Sequence, residues 1–222
     1  MTCTRSRTKL VWNILLVVAL APMVRLSTAA AQDGAAGINP AASATVRGFT
    51  DAMLASLKDA DRLGFQGRYD LLAPAIEKSF DLDFMAEKSL AGQFDGLTPE
   101  QRQKWRSAFA RYMTSNYASR LNKFNNQSFE QLGQEDAGRG TLLVRTRVHD
   151  PGVEDVDLNY RLREINGEWK IVDIYLKGTV SELALRRSDY TAVMKNQGFD
   201  ALLNNVNEKS AAMAAGKIEA AS

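Results

Sequence analysis

Asp173, Tyr175 and Tyr160 are the residues of this 222-residue chain whose types and spacing come nearest to acid–base chemistry. All three fall in NYRLREINGEWKIVDIYLKGT, residues 159 to 179. A carboxyl set among Trp169, Ile171 and Tyr175 is desolvated, which raises its pKa and suits proton transfer. An apolar cavity with an acid and a tyrosine at its base is one way an α+β fold uses such residues. The same Asp173 also reads as a structural acceptor that fixes the sheet. Other catalytic patterns are missing from the sequence. The single histidine, His149, abuts the Asp150-Pro151-Gly152 turn and reads as a loop residue. With one His and one Cys there is no zinc-ligand set. No glycine-rich phosphate loop and no Gly-x-Ser-x-Gly elbow occurs. The sequence therefore calls for no cofactor and no metal.

A second group of residues points to binding rather than reaction. Trp105, Phe109, Tyr112, Met113 and Tyr117 recur at helical spacing. Such a stripe serves as ordinary core, or as the wall of a cavity for a variable apolar ligand, since large and adaptable side chains suit both. The strand WKIVDIYL adds to the second reading. By simple alternation Trp169, Ile171, Asp173 and Tyr175 face one way, and Val172, Ile174 and Leu176 the other. A half-buried antiparallel strand alternates apolar with polar, so this one predicts a cover on each face. Arg186 and Arg187, on a helix, are candidates for docking a partner or an anionic head group.

Elements that position these residues are marked by local signals. Asn166-Gly167 tolerates positive φ at both central positions and predicts a tight hairpin. Strands are expected around 128–135, 140–149, 153–164 and 168–177, an antiparallel meander. Before them, Val46, Phe49, Met53, Leu54 and Leu57 predict a helix from Ser43 that breaks at Gly64–Gly67. Short helices follow, with Pro74 expected near a bend and Asp81 or Asp83 as a cap. Thr98, Pro99 and Gln101 form a capping box with Pro at the first position. The helix they open is expected to reach Phe124, about 39 Å at 1.5 Å per residue. Ser181 caps a further helix that Gly198 ends, and a last one covers about 199–212. Helices, then strands, then helices predict an α+β fold: a sheet of about four antiparallel strands, with an apolar cavity between sheet and helices.

The first residues read as a secretory signal. Arg5, Arg7 and Lys9 precede LVWNILLVVALAPMV, and Ala29–Ala31 supply a cleavage site. The apolar run is short of the roughly 20 residues a spanning helix needs. Residues 1–31 are thus expected to be removed, 32–42 to form a flexible leader, 43–213 one domain and 214–222 a disordered tail. Cleavage takes the 28 basic residues to 24 against 26 acidic, a net charge of −2. The mature chain then has no bulk electrostatic reason to bind nucleic acid. It also keeps no cysteine, so no disulfide holds it together.

Two stretches carry a family resemblance. SFDLDFMAEKSLAGQFDGLTPEQRQKWRSAFARYMTSNYASRL and YRLREINGEWKIVDIYLKGTVSELALRRSDYTAVMKNQGFDALLNNV resemble the two halves of the MlaC, or toluene-tolerance auxiliary, family of periplasmic lipid carriers. The shared features are a Phe-Asp segment before a helix, Leu-Thr-x-Glu-Gln opening the long helix, and Gly-x-Trp-Lys-(apolar)-x-Asp on a strand. A Gly-(Thr/Val)-Ser opening, an Arg-x-x-aromatic pair and a Gly-(apolar)-Asp-x-Leu ending follow in order. The back half looks closest to the hopanoid-associated HpnM branch, through Gly178 to Ala184 and the arginine pair. Gly178-Thr179 and Phe94 depart from the transport-system members.

The resemblance implies a carrier in the periplasm. It would shuttle a phospholipid or hopanoid-type lipid between an inner-membrane transporter and an outer-membrane lipoprotein. Taken with the alternation, it places the tails between the stripe from Trp105 to Tyr117 and the sheet residues Val144, Val156, Leu158, Tyr160, Ile171 and Tyr175. The two rivals are an acid–base enzyme acting on a lipid through Asp173, and an adaptor with a solid core.

Overall fold

The computed structural model describes residues 39–218; the expected signal segment, and most of the leader, lie outside them. Asn39 opens the first helix, its side chain accepting from the amides of Ala41 and Ala42 with Pro40 at the first position. That helix, α1 (Pro40–Lys58), thus begins inside the expected leader. It ends at Asp59, earlier than expected, and α2 (Ala60–Ser79) follows at once. Gly64 kinks α2 with φ 58° and ψ −172°, and Pro74 lies inside the helix rather than at its edge. Then come α3 (Leu82–Ser89), a 3₁₀ turn (Ala91–Gly96) and α4 (Pro99–Arg120). The Thr98–Gln101 capping box is formed at the start of α4. The helix stops at Leu121, short of Phe124, and is about 33 Å long.

Five strands make one antiparallel sheet in sequence order. They are β1 (Ser128–Asp136), β2 (Thr141–His149), β3 (Val156–Ile165), β4 (Glu168–Leu176) and the two-residue β5 (Val180–Ser181). Asn166 and Gly167 turn between β3 and β4 with φ of 51° and 83°, the pair of left-handed residues a type I′ turn requires. Ser181 caps α5 (Glu182–Gln197), and Gly198 separates it from α6 (Phe199–Ala214). The last helix thus runs through the first residue of the expected tail.

The two-faced reading of β4 is corrected by a β-bulge. β3 steps from Arg161 to Leu162 while its partner steps from Asp173 to Ile171, so Val172 is an extra residue. The bulge re-phases the strand. Partners across the ladder share a face, and the register Tyr160↔Ile174, Leu158↔Leu176, Leu162↔Ile171 and Glu164↔Trp169 puts Trp169, Ile171, Ile174 and Leu176 on one side. Asp173 and Tyr175, opposite Arg161 and Asn159, point to the other. Most of the strand's apolar set is therefore gathered on a single face.

That face is covered by α1. Thr45 donates its hydroxyl to the Trp169 carbonyl at 2.9 Å, and Gln131 donates to the Ser43 carbonyl at 3.0 Å. The Phe49 ring meets those of Phe80, Tyr117 and Tyr160 at 4.8, 5.2 and 6.1 Å, all edge-on. The long helix α4, expected directly over the sheet, packs chiefly on α2, α3 and α6 instead. At the outer edge of β4 the chain returns twice: Asp81 donates its amide to the Ile171 carbonyl, and β5 pairs with Tyr175 and Leu176.

Candidate functional site

The helix-facing side of the sheet is not uniform along its length. At its centre Val144, Tyr160, Leu162 and Ile171 are fully buried. Toward the start of β3 the apolar side chains emerge: Phe129, Val148, Leu158 and Leu176 are half-buried, and Val156 is 42% exposed. The register places these residues on the same face as Tyr160. Tyr117 and Leu121, at the C-terminal end of α4, are half-buried too. Between α1 and the β1–β2 ladder a cleft of about 430 Å³ is lined by Arg47, Thr50, Asp51 and Leu54 on one wall and by Phe129, Glu130, Gln131 and Thr146 on the other. Volumes of this size are typical of small-ligand sites. The seam between helices and sheet is thus packed at the centre, and at this end half-buried apolar side chains border a cleft that charged and amide side chains also line.

Of the residues expected to wall a cavity, Val144, Val156, Leu158, Tyr160 and Ile171 share this face. Tyr175 does not, because the bulge puts it on the opposite side with Asn159. Along α4, Tyr117 meets Phe49 and so belongs to the seam. Phe109 and Met113 are buried in the core, and Trp105 looks away from the sheet. Its indole donates to the Ala86 carbonyl of α3 at 2.9 Å and stands edge-on to Tyr190 of α5 at 5.2 Å.

A polar cluster sits inside this largely apolar frame. Glu182 and Arg186 form an ion pair one turn apart on α5, and the guanidinium lies 4.9 Å over the Tyr112 ring. Burial works against the Arg186 charge, but Glu182 beside it more than compensates and holds its pKa raised. Burial, reinforced by the Glu182 charge, pushes the Tyr117 and Tyr160 hydroxyls well above their ordinary value. Burial pushes Tyr190 up to about 12. Sequence reasoning missed Glu182 and Tyr190, and it assigned Arg186 to the surface. The available signal was the i, i+4, i+8 spacing of 182, 186 and 190, which puts the three on one helix face.

Asp173 is spent on structure. It accepts from the Ile174 amide at 2.8 Å, the Leu183 amide at 3.1 Å and the Ser181 hydroxyl at 2.6 Å. It thereby ties β4 and β5 to the N-terminus of α5. Burial raises its pKa, and those three hydrogen bonds pull it part of the way back. Asp173 and Tyr175 lie on the face opposite Tyr160, so the acid–tyrosine trio does not converge. His149 is exposed and pairs with Asp155 in the turn at 2.7 Å. Among the described residues there is no His, Cys, Asp and Glu grouping able to hold a metal.

Arg187, the neighbour of Arg186, points outward. It lines a groove of about 440 Å³ with Lys88, Arg139, Arg161, Arg163 and Asp173. Arg163 is paired with Asp81 and stacked 4.1 Å from the Phe84 ring. Arg161 is held by the Thr141 hydroxyl and the Ala137 carbonyl, both neutral acceptors. The outer face of the sheet therefore carries a cationic groove, separate from the apolar seam.

Known proteins resemble this chain in sequence and in fold. The chain matches Toluene tolerance protein ttg2D of Pseudomonas putida at 25% identity over 162 residues, which is 70% of this chain and 74% of that one. A solved structure of the phospholipid-binding protein from Ralstonia solanacearum, in complex with a phospholipid, superposes with a TM-score of 0.69 at 25% identity. The match covers 78% of this chain and 98% of that one. A family model described as MlaC protein matches residues 47–208, from α1 through most of α6, and the chain belongs to that family.

Proposed function

We propose that the protein is a periplasmic lipid carrier, which takes up a phospholipid or hopanoid-type lipid and shuttles it between an inner-membrane transporter and an outer-membrane lipoprotein. The observation that carries this reading is the end of the seam where the apolar sheet residues Phe129, Val148, Leu158 and Leu176 are only half-buried and Val156 is exposed. Apolar side chains left in this state at the mouth of a core lack a partner that would complete their burial. Acyl chains supply one. Each methylene taken from water contributes about 0.8 kcal/mol, so a two-tailed lipid does not cross an aqueous gap without such cover. The phospholipid bound by the Ralstonia solanacearum relative supports the same ligand class. No helix of the described residues is long and apolar enough to cross a membrane. The expected signal segment supplies the route to the periplasm. Of the arginine pair, Arg187 is the one available to a partner, since Arg186 is turned inward.

The test is a charge at the mouth. Leu158→Glu should leave the circular dichroism spectrum unchanged, because the site is already half-buried, and should abolish recovery of lipid with the purified protein. Undiminished lipid recovery would overturn the assignment of the seam.

A further inference from the structure

The groove on the outer face of the sheet carries more positive charge than its own carboxylates neutralise. Arg163 is paired with Asp81, and Lys88 with Glu87. Among the described residues Arg139, Arg161 and Arg187 have no carboxylate partner, and all three line this one groove of about 440 Å³. Arg139 and Arg187 are exposed. The one acid in the lining is Asp173, opposite Arg161 in the ladder. Its oxygens go to the Ile174 and Leu183 amides and the Ser181 hydroxyl, not to an arginine.

Two of the arginines are set in place by the sheet. Arg161 donates from Nε to the Thr141 hydroxyl and from a terminal nitrogen to the Ala137 carbonyl, both at 3.0 Å. Ala137 leads into the β1–β2 turn, where Gly138, Arg139 and Gly140 have φ of 74°, 55° and 70°. A residue with a side chain is uncommon at such φ. Here it stands between two glycines, and Arg161 braces the turn that presents it. Guanidinium groups fixed in this way suit directional pairing with carboxylates. The groove also has an apolar floor. Val172 and Leu183 are buried, and half-buried Phe84 lies against the Arg163 guanidinium at 4.1 Å.

These features select the occupant. The three unpaired guanidiniums come from the β1–β2 turn, β3 and α5, around a volume typical of a small-ligand site; a lone phosphate fills little of it. The head group of a lipid in the seam does not reach it, since the sheet lies between them. A flat anionic membrane meets Arg139 and Arg187 but not the recessed Val172 and Leu183. A peptide that alternates carboxylates with apolar side chains meets both. We infer that the groove docks an acidic peptide segment of a partner protein, with carboxylates on Arg139, Arg161 and Arg187 and an apolar side chain on Phe84, Val172 and Leu183. The inference rests on the carrier reading for its purpose, because it gives the chemistry of a partner that such a carrier meets, but the binding is measured apart from lipid.

The probe is a short fluorescent peptide alternating aspartate with leucine, titrated onto the purified mature protein and read by anisotropy. It should bind saturably, and the same peptide with asparagine for aspartate should bind about tenfold more weakly or worse. Arg139→Glu and Arg187→Glu alter exposed side chains and should fold normally. Each should weaken binding about tenfold, and the double variant about a hundredfold. Lys123→Glu makes the same charge change at an exposed position outside the groove, and should leave binding within about twofold, as expected of a distant screened charge. Equal binding of the two peptides overturns the inference, as does a loss in Lys123→Glu that matches Arg187→Glu. Arginine-dependent binding to phosphatidylglycerol vesicles, with none to the peptide, also overturns it and gives the groove to a membrane surface. Lipid recovered from the same preparation separates the two readings. Lipid without peptide binding overturns the docking inference and leaves the carrier reading standing; peptide binding without lipid overturns the carrier reading and leaves the groove a docking site.

Discussion

At the scale of single residues, Asp173 and Arg186 show how burial assigns roles. Asp173 has the setting of a general acid, yet its oxygens are occupied by Ile174, Leu183 and Ser181. Asp173→Asn keeps an acceptor for the two amides and can still donate to Ser181, so its cost should stay within about 1 kcal/mol. Asp173→Ala leaves both amides unmade and should cost about 2–4 kcal/mol, measured by urea unfolding. The pH dependence has a definite sign. The folded-state pKa of Asp173 is raised, so its contribution is fully present below the unfolded value of 3.8 and is lost as pH rises through the folded value. Relative to Asp173→Asn, the wild type should therefore lose stability between pH 4 and neutrality; a difference that does not change with pH would contradict this. Arg186 was readable as an arginine on a helix, but its inward rotation was not. That rotation depends on Glu182 one turn earlier and on Tyr112, 74 residues away in sequence on α4, and such long-range pairing leaves no local trace.

At the scale of elements, the sequence was legible wherever structure follows from neighbouring residues. Asn166-Gly167, Asp150-Pro151-Gly152 and the Thr98–Gln101 box each specify their own backbone, and the strands and α4 begin within about three residues of expectation. The phase of β4 was illegible because a bulge belongs to a pair of strands, and one strand read alone shows only alternation. Its consequence is testable. Deleting Val172 makes the β3–β4 ladder regular and leaves every other side chain on its present face. The fold should survive at a cost near that of one buried valine, roughly 1.5–3 kcal/mol. Deleting Arg161 from the partner strand flips Leu162 and all that follows, and should abolish cooperative unfolding. A second tie between elements is Arg68, which donates to the Ala118 carbonyl at 2.8 Å and the Ala60 carbonyl at 2.9 Å. It binds the kinked α2 to the end of α4 that carries Tyr117. Arg68→Met should cost about 2–3 kcal/mol, and a smaller loss would mean that other contacts hold the α4 end.

At the scale of the molecule, the α+β class was readable from the order of its elements, and the layering was not. The aromatic stripe on α4 suggested a helix lying on the sheet. Instead α1, with Phe49 at its centre, takes that position, and α4 stands behind it on α2, α3 and α6. Periodicity identifies an apolar face without saying what it meets. The separation of two surfaces also emerges only at this scale: the helix-covered apolar seam lies on one side of the sheet, and a cationic groove on the other. On the proposed carrier reading the seam would take the tails and the groove would face partners, with the sheet between them. The most direct measurement is native mass spectrometry of the mature protein after gentle extraction. A bound mass in the range of one membrane lipid, lost on Leu158→Glu, is the predicted result; a spectrum of the unliganded chain alone, from cells rich in lipid, would contradict it.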